Sequence, residues 1–289
     1  MNSRIRKALF SAAAATLVIG LASCSQPGED AATEQGAEGE APAGQAAGPE
    51  TESEKNAKAL LKAMSDYLDA QTTISLAYDS IFEVVTDDQQ KLQLATSGTV
   101  ELTRPDKVRT TRQSGFSDTV MVYDGTTLSF LGKGQNAYVQ TPVTGTVDEL
   151  IDQLRDKFHR QLPGADLLQS GVYEELMTDV TDVKDLGSGV INGVECDHLA
   201  FRAKDTDWQI WIAQGENPYP CRYVITSKGV DQAPQFTMVI RDWKAGAAAG
   251  AADFSFTPPA GAKQMDVADL ANLRETSDLP ENYRIGAEQ

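Results

Sequence analysis

Between Thr73 and Gln140 the sequence breaks into a series of strand-length segments separated only by short polar or turn-forming gaps. The segments are Thr73–Val85, Lys91–Leu102, Lys107–Arg112, Thr119–Tyr123, Thr127–Leu131 and Ala137–Gln140. The gaps hold Asp87-Asp88, Arg104-Pro105-Asp106, Asp124-Gly125 and Gly132-Lys133-Gly134, residue types that reverse a chain at little steric cost. Parallel strands need a crossover of a dozen or more residues, so strands joined this closely form an antiparallel meander. A second run starts at Val180–Leu186 and passes through three strands between Asn192 and Lys228, then Gln235–Trp243 and Asp253–Thr257. In its middle, Trp208, Ile210 and Ile212 alternate with Trp211 and Ala213, so both faces of that strand are expected to be covered.

Helical spacing occurs in two places, each opened by a capping box. Thr51-x-x-Glu54 precedes Ala57, Leu60, Leu61, Met64, Tyr67 and Leu68, which predicts an amphipathic helix to about Ala70. Thr146-x-x-Glu149 precedes Val147, Leu150, Ile151, Leu154 and Phe158, with Pro163 as the stop. Ala165–Leu168 and Tyr173–Met177 read as short helical pieces. The expected fold is mainly β (α+β): a highly curved antiparallel sheet with helices packed on its concave side. A curved sheet does not close perfectly over apolar helix stripes, so a hydrophobic cleft is expected between them.

The start of the chain is a targeting segment. Basic Met1–Lys7 leads into apolar Ala8–Leu21, too short for an ordinary membrane span, and then Leu21-Ala22-Ser23-Cys24. This resembles a bacterial lipoprotein signal, in which the Cys is acylated and becomes the new N-terminus. Residues 1–23 are read as signal peptide and residues 24–50 as lipidated Cys24 plus tether. Ser25–Glu50 has no Val, Ile, Leu, aromatic, Lys or Arg, so it cannot bury enough surface to fold. Such a coil spans roughly 28 Å, enough to hold a domain off the head groups. Ser25, in place of the Asp that marks inner-membrane retention, points to an outer-membrane anchor facing the periplasm. Residues 51–265 read as one domain and 266–289 as a polar tail. The net charge of -17 falls further once Arg4, Arg6 and Lys7 leave, which excludes nucleic acid as a partner.

The motifs now form a set. Gly98-Thr99-Val100, Arg104-Pro105-Asp106-Lys107, Tyr123-Asp124-Gly125, Thr146-Val147-Asp148-Glu149, Cys196-Asp197-His198-Leu199-Ala200-Phe201-Arg202, Asp207-Trp208-Gln209-Ile210-Trp211-Ile212 and Arg241-Asp242-Trp243 resemble the family catalogued as domain of unknown function 2092, predicted periplasmic proteins. Phe254-x-Phe256-x-Pro258-Pro259-x-Gly261-Ala262 resembles that family's closing strand, and also the wider lipoprotein carrier group of LolA and LolB. The resemblance covers roughly residues 55 to 265. It implies an unclosed half-barrel with a helical lid over an apolar cavity that binds acyl chains, and it brings no catalytic residues. The expected partner is a lipid or an acylated protein bound by a non-enzymatic monomer. The alternative is an envelope interaction or stress-signalling protein of the same fold that binds a protein partner. A carrier that shuttles should be soluble, so Cys24 favours an anchored binder.

Candidate cleft residues are Leu61, Met64, Leu68, Leu154 and Phe158 on the helices and Trp208, Trp211 and Trp243 on the strands, each of which would be plain core if no cleft existed. No cofactor or metal is expected, because His159 and His198 are the only histidines and no Cys-x-x-Cys spacing occurs. Cys196 and His198 share a strand face, which permits a thiol–imidazole pair; a half-buried His beside a buried or bonded Cys is the ordinary reading. Cys196 and Cys221 remain after lipidation, and an oxidising compartment favours a disulfide. In a regular meander, however, they would stand two strand spacings apart, roughly 9.6 Å, against the ~7 Å limit for a bond. Either a bulge or splayed ends bring them together, or both stay free.

Overall fold

The computed structural model describes residues 49–157 and 162–268. The signal and tether up to Gly48, Phe158, His159 and the tail beyond Ala268 therefore lie outside the described residues.

Thr51 caps helix α1 (Glu52–Asp69) as its sequence predicts: the Glu54 amide donates to the Thr51 hydroxyl and the Thr51 amide to the Glu54 carboxylate. The stripe Ala57, Leu61, Met64 and Leu68 is fully buried. A first meander follows as β1 (Thr73–Val85), β2 (Lys91–Thr103), β3 (Lys107–Ser114), β4 (Asp118–Tyr123), β5 (Thr127–Gly132) and β6 (Ala137–Pro142). Thr146 caps α2 (Val147–Asp156) with the same reciprocal pair to Glu149. A 3-10 turn (Ala165–Leu168) and α3 (Val172–Leu176) complete the connection. The second meander is β7 (Val180–Ile191), β8 (Val194–Ala203), β9 (Thr206–Ala213), β10 (Pro220–Ser227) and β11 (Gln235–Ala245), and β12 (Lys263–Met265) is the last described strand.

The strands form one sheet in the order β12-β6-β5-β4-β3-β2-β1-β11-β10-β9-β8-β7. The meanders meet where β1 pairs antiparallel with β11, which leaves β6 and β7 towards opposite ends of the order. The connection from β6 to β7 must cross the sheet, and α2, the 3-10 turn and α3 do so over the same face as α1. One core cluster joins Leu61 and Leu68 of α1, Leu150 and Leu154 of α2, and strand residues from both meanders. Twist accumulated over many strands curls such a sheet, and irregular register within the β1–β11, β7–β8 and β9–β10 pairs adds local bend. The result is the mainly β, curled and mostly antiparallel sheet with few helices that the pattern predicted.

Two details differ from expectation. Asp253–Thr257 is not a ladder strand. Phe254 and Phe256 instead pack from outside on Val120, Val122, Leu131 and Tyr138, while the Arg109 guanidinium donates to the carbonyls of Asp253 and Ser255. Alternating aromatics need only an apolar surface, and Pro258 and Pro259, lacking amide hydrogens, prevent a ladder from continuing. β12 then pairs with β6 in parallel, the one such pair among the described strands.

Gly98 on β2 is required by packing. A Cβ there would lie 2.2 Å from the Thr111 carbonyl oxygen on the neighbouring strand and 2.6 Å from the Tyr78 ring, which crosses the strand at this point. Gly98→Ala should therefore lower stability by about 2 kcal/mol, the range of overpacked sites, with a matching fall in the urea midpoint. An unshifted midpoint would mean that neither the Thr111 carbonyl nor Tyr78 is held there.

Candidate functional site

Register places the inward side chains of the first meander in rows. Leu76, Val100, Thr110, Met121, Phe130 and Val139 are successive cross-strand partners from β1 to β6. Two residues further along the strands runs a second row: Tyr78, Gly98, Arg112, Thr119 and Gly132. Beyond it Ser80 pairs with Thr96. The floor is thus apolar in one row and small or hydroxylated in the next.

Above this floor lie Val147, Leu150, Ile151 and Leu154 of α2 and the segment Leu162–Leu168. Arg155 of α2 is ion-paired with Asp166, which ties the helix to the 3-10 turn. Gly164, at φ +84°, supplies the left-handed bend that starts this turn. Between floor and roof remains a cavity of about 270 Å³, near the lower end of the size range of small-molecule sites. Its origin is a deficit of side-chain volume. Thr110 and Thr119 face a helix of 10 residues, whereas α1, with 18, packs over the second meander.

The cavity is mostly apolar, with Arg112 and the hydroxyls of Tyr78, Ser80, Thr96, Thr110 and Thr119 among its walls. Burial pushes the Tyr78 phenol up, and the charge of Arg112 opposes that shift, so the two groups sense each other. The Tyr78 hydroxyl donates to the Thr111 carbonyl at 3.4 Å.

Of the residues singled out from sequence, Leu154 and Trp243 line this cavity. Leu61, Met64 and Leu68 are fully buried in the core, and Trp208, 2% exposed, is stacked on Phe201. Trp211 is on the convex face, stacked on His198 at 3.9 Å with the Arg222 guanidinium 4.9 Å from its ring. Phe158 lies outside the described residues. The floor residues Thr110, Arg112, Met121 and Phe130 were missed. Inward alternation in the first meander was the signal that could have found them.

The convex face carries the cysteines. Cys196 is opposite Ala213, as the sequence register requires. Pro220 pairs with Ile212 and Arg222 with Trp211, so Cys221 is the extra residue of a bulge. That bulge turns its side chain onto Cys196, and both are buried with Ala213. They are free thiols in the structure, not the expected disulfide, although they share one buried cluster. Burial raises the pKa of both thiols above the ordinary range, and it pushes the neighbouring Tyr219 phenol up to about 12. The permitted thiol–imidazole pair is not assembled: His198 Nε2 pairs with Gln209 Oε1 at 2.9 Å, while Cys196 Sγ donates to the Val194 carbonyl. Among the described residues no group of three or more His, Cys, Asp or Glu side chains could hold a metal, and no helix is long and apolar enough to cross a membrane.

The family described as predicted periplasmic protein (DUF2092) matches residues 57–268. No curated protein matches the chain. Among solved structures, LprF from Mycobacterium bovis is 12% identical and covers 71% of this chain and 98% of its own, with a TM-score of 0.44. The Mycobacterium tuberculosis lipoprotein LppX is 13% identical over 70% of this chain and 100% of its own, TM-score 0.36. A LolA superfamily protein from Nitrosomonas europaea is 10% identical over 65% and 92%, TM-score 0.31.

Proposed function

The chain belongs to this family of predicted periplasmic proteins, and from that premise we propose that it is a lipid-anchored, non-enzymatic binder of an acyl chain, from a lipid or an acylated protein. The cavity between α2 and the apolar row Leu76–Val139 carries this reading. Binding is driven by burial of the chain's methylenes at ~25 cal/mol per Å², with no reaction at the site. Cys24 and the acidic tether hold the domain above the outer membrane on its periplasmic side.

Mass spectrometry of organic extracts from the full chain, purified from membranes, tests this. A co-purifying lipid near one per chain, with an acylated N-terminal peptide beginning at Cys24, is the expected result. Extracts free of lipid from chain that also fails to take up added fatty acid would remove the reading. A protein-binding role has one observation in its favour: β7 is a sheet edge and exposes Leu186 and Val190, 48% and 65% accessible. It becomes the better account if the extracts are empty and a pure protein is retained instead.

The same compartment bears on Cys196 and Cys221. Their shared burial at the bulge supports a disulfide, formed when a thiol oxidoreductase of the envelope accepts two electrons and two protons from the pair. Ellman titration of denatured, unreduced chain should find neither thiol, and Cys221→Ser should cost about 3 kcal/mol. Two titratable thiols in chain taken from the envelope would contradict the bond.

A further inference from the structure

We propose that the C-terminal segment from Asp269 onward is a built-in occupant of the cavity rim, laid against β5, β6 and β12 and displaced when an acyl chain enters. This rests on the acyl-binding reading and adds regulation of the same site to it. Met121 is opposite Phe130, Phe130 opposite Val139, and Val139 opposite Met265, so β12 extends the apolar row by one strand. Met265 and Val267 pack with Phe130 on Ala137 and Val139, and Val267 is itself a wall of the cavity. The chain therefore runs on from the cavity's own edge. Met121, Phe130, Met265 and Val267 are all only half-buried, so this rim keeps apolar surface accessible. Such surface gains from any further apolar contact.

The residues that follow carry matching chemistry. The Asp266 carboxylate accepts the Ala268 amide at 2.9 Å, the hydrogen bond of an N-cap, so a helical turn is set up at Val267. Asp269 adds a favourable negative charge to that first turn. At 3.6 residues per turn, Leu270 and Ala271 fall on the face of Val267, with Leu273 on its flank. A helix begun at a residue that already lines the cavity thus presents Leu270 to the same rim. A helix this short is marginal in water and needs an apolar surface to form, which makes the contact reversible. Being tethered beside the site, the segment has an effective concentration on the order of millimolar, so a weak contact keeps the rim covered. An acyl chain inside the cavity buries more methylenes than leucines at its edge do, and displaces them.

The test uses the full chain with Leu270 replaced by the photo-cross-linker p-benzoylphenylalanine, irradiated, digested and read by mass spectrometry. Cross-links within one chain to peptides that hold Met121 or Phe130 are expected, and saturating laurate should suppress them. In the full chain, Leu270→Asp combined with Leu273→Asp should raise laurate affinity about tenfold, as expected when a cover in place about nine-tenths of the time is lost. A misfolded variant cannot give that gain, so the expected result separates the proposal from simple damage. Cross-links only elsewhere on the domain, only between two chains, or none at all overturn the proposal. So does unchanged laurate affinity in the double variant, or a cross-link that bound laurate leaves undiminished. Wherever the parent chain still binds laurate, the acyl reading survives these outcomes. Absence of laurate binding in both the parent and the double variant removes the acyl reading and the competition with it.

Discussion

Thr110→Trp is expected to cut acyl binding by at least a hundredfold without lowering the stability of the fold. Thr110 stands in the middle of the apolar row, between Val100 on β2 and Met121 on β4, and its side chain lines the cavity. An indole there would occupy space now empty, so it needs no displaced neighbour. A bound chain would lose roughly four methylenes of burial, at ~0.8 kcal/mol each, or about 3 kcal/mol in all. That corresponds to a little over a hundredfold in the dissociation constant. The urea midpoint should stay level or rise, since filling a hollow restores contacts that its walls lack. Laurate titration and urea denaturation of the same preparation read both halves. Unchanged affinity would place the ligand away from this row, and a collapsed midpoint would mean that the cavity is smaller than the structure gives.

Trp208→Ala is the largest expected loss of stability, about 4 kcal/mol. The ring is 2% exposed, stacked on Phe201 at 3.8 Å with an interplanar angle of 7°, and meets the edge of Tyr223 at 6.0 Å. It belongs to the solid half of the core and does not line the cavity, so laurate affinity should be preserved wherever the variant folds. Its indole N–H is buried with no hydrogen-bond partner. Trp208→Phe should consequently cost much less than the loss of a satisfied donor would suggest. Trp211→Ala, on the half-buried convex face, should cost only about 1 kcal/mol, the ordinary size for a point mutation. If the two tryptophans proved equally costly, the division into a filled core and an outer face would be wrong.

The elements of the fold were legible where local chemistry alone decides them. Both capping boxes form as read, because Thr51 and Thr146 have their Glu partners within one turn. The strands of both meanders were legible from their short polar breaks. The segment around Phe254 and Phe256 was not, since alternating aromatics look the same whether they join a ladder or lie across a finished sheet. The candidate site was harder for the same kind of reason. Helix stripes announce burial, and Leu61, Met64 and Leu68 are indeed buried, but a stripe does not reveal whether the opposing surface fills the gap. That depends on what sits across the strands: Gly98 beside Tyr78 and Thr110 beside Val100, residues scattered over separate segments and aligned only by register. Cys221 is a third case. The turn lengths predicted a regular register two strands from Cys196, and they could not reveal the additional residue at the β9–β10 pairing that places Cys221 in one buried cluster with Cys196.

The central claim is that an acyl chain lies between α2 and the inward row of the first meander. A crystal structure of the chain soaked with a terminally brominated fatty acid, with the bromine located by anomalous scattering, tests it most directly. The account predicts one strong bromine peak among Val100, Met121, Phe130 and Leu154. Bromine found only outside this cavity, with the cavity itself empty, would contradict it.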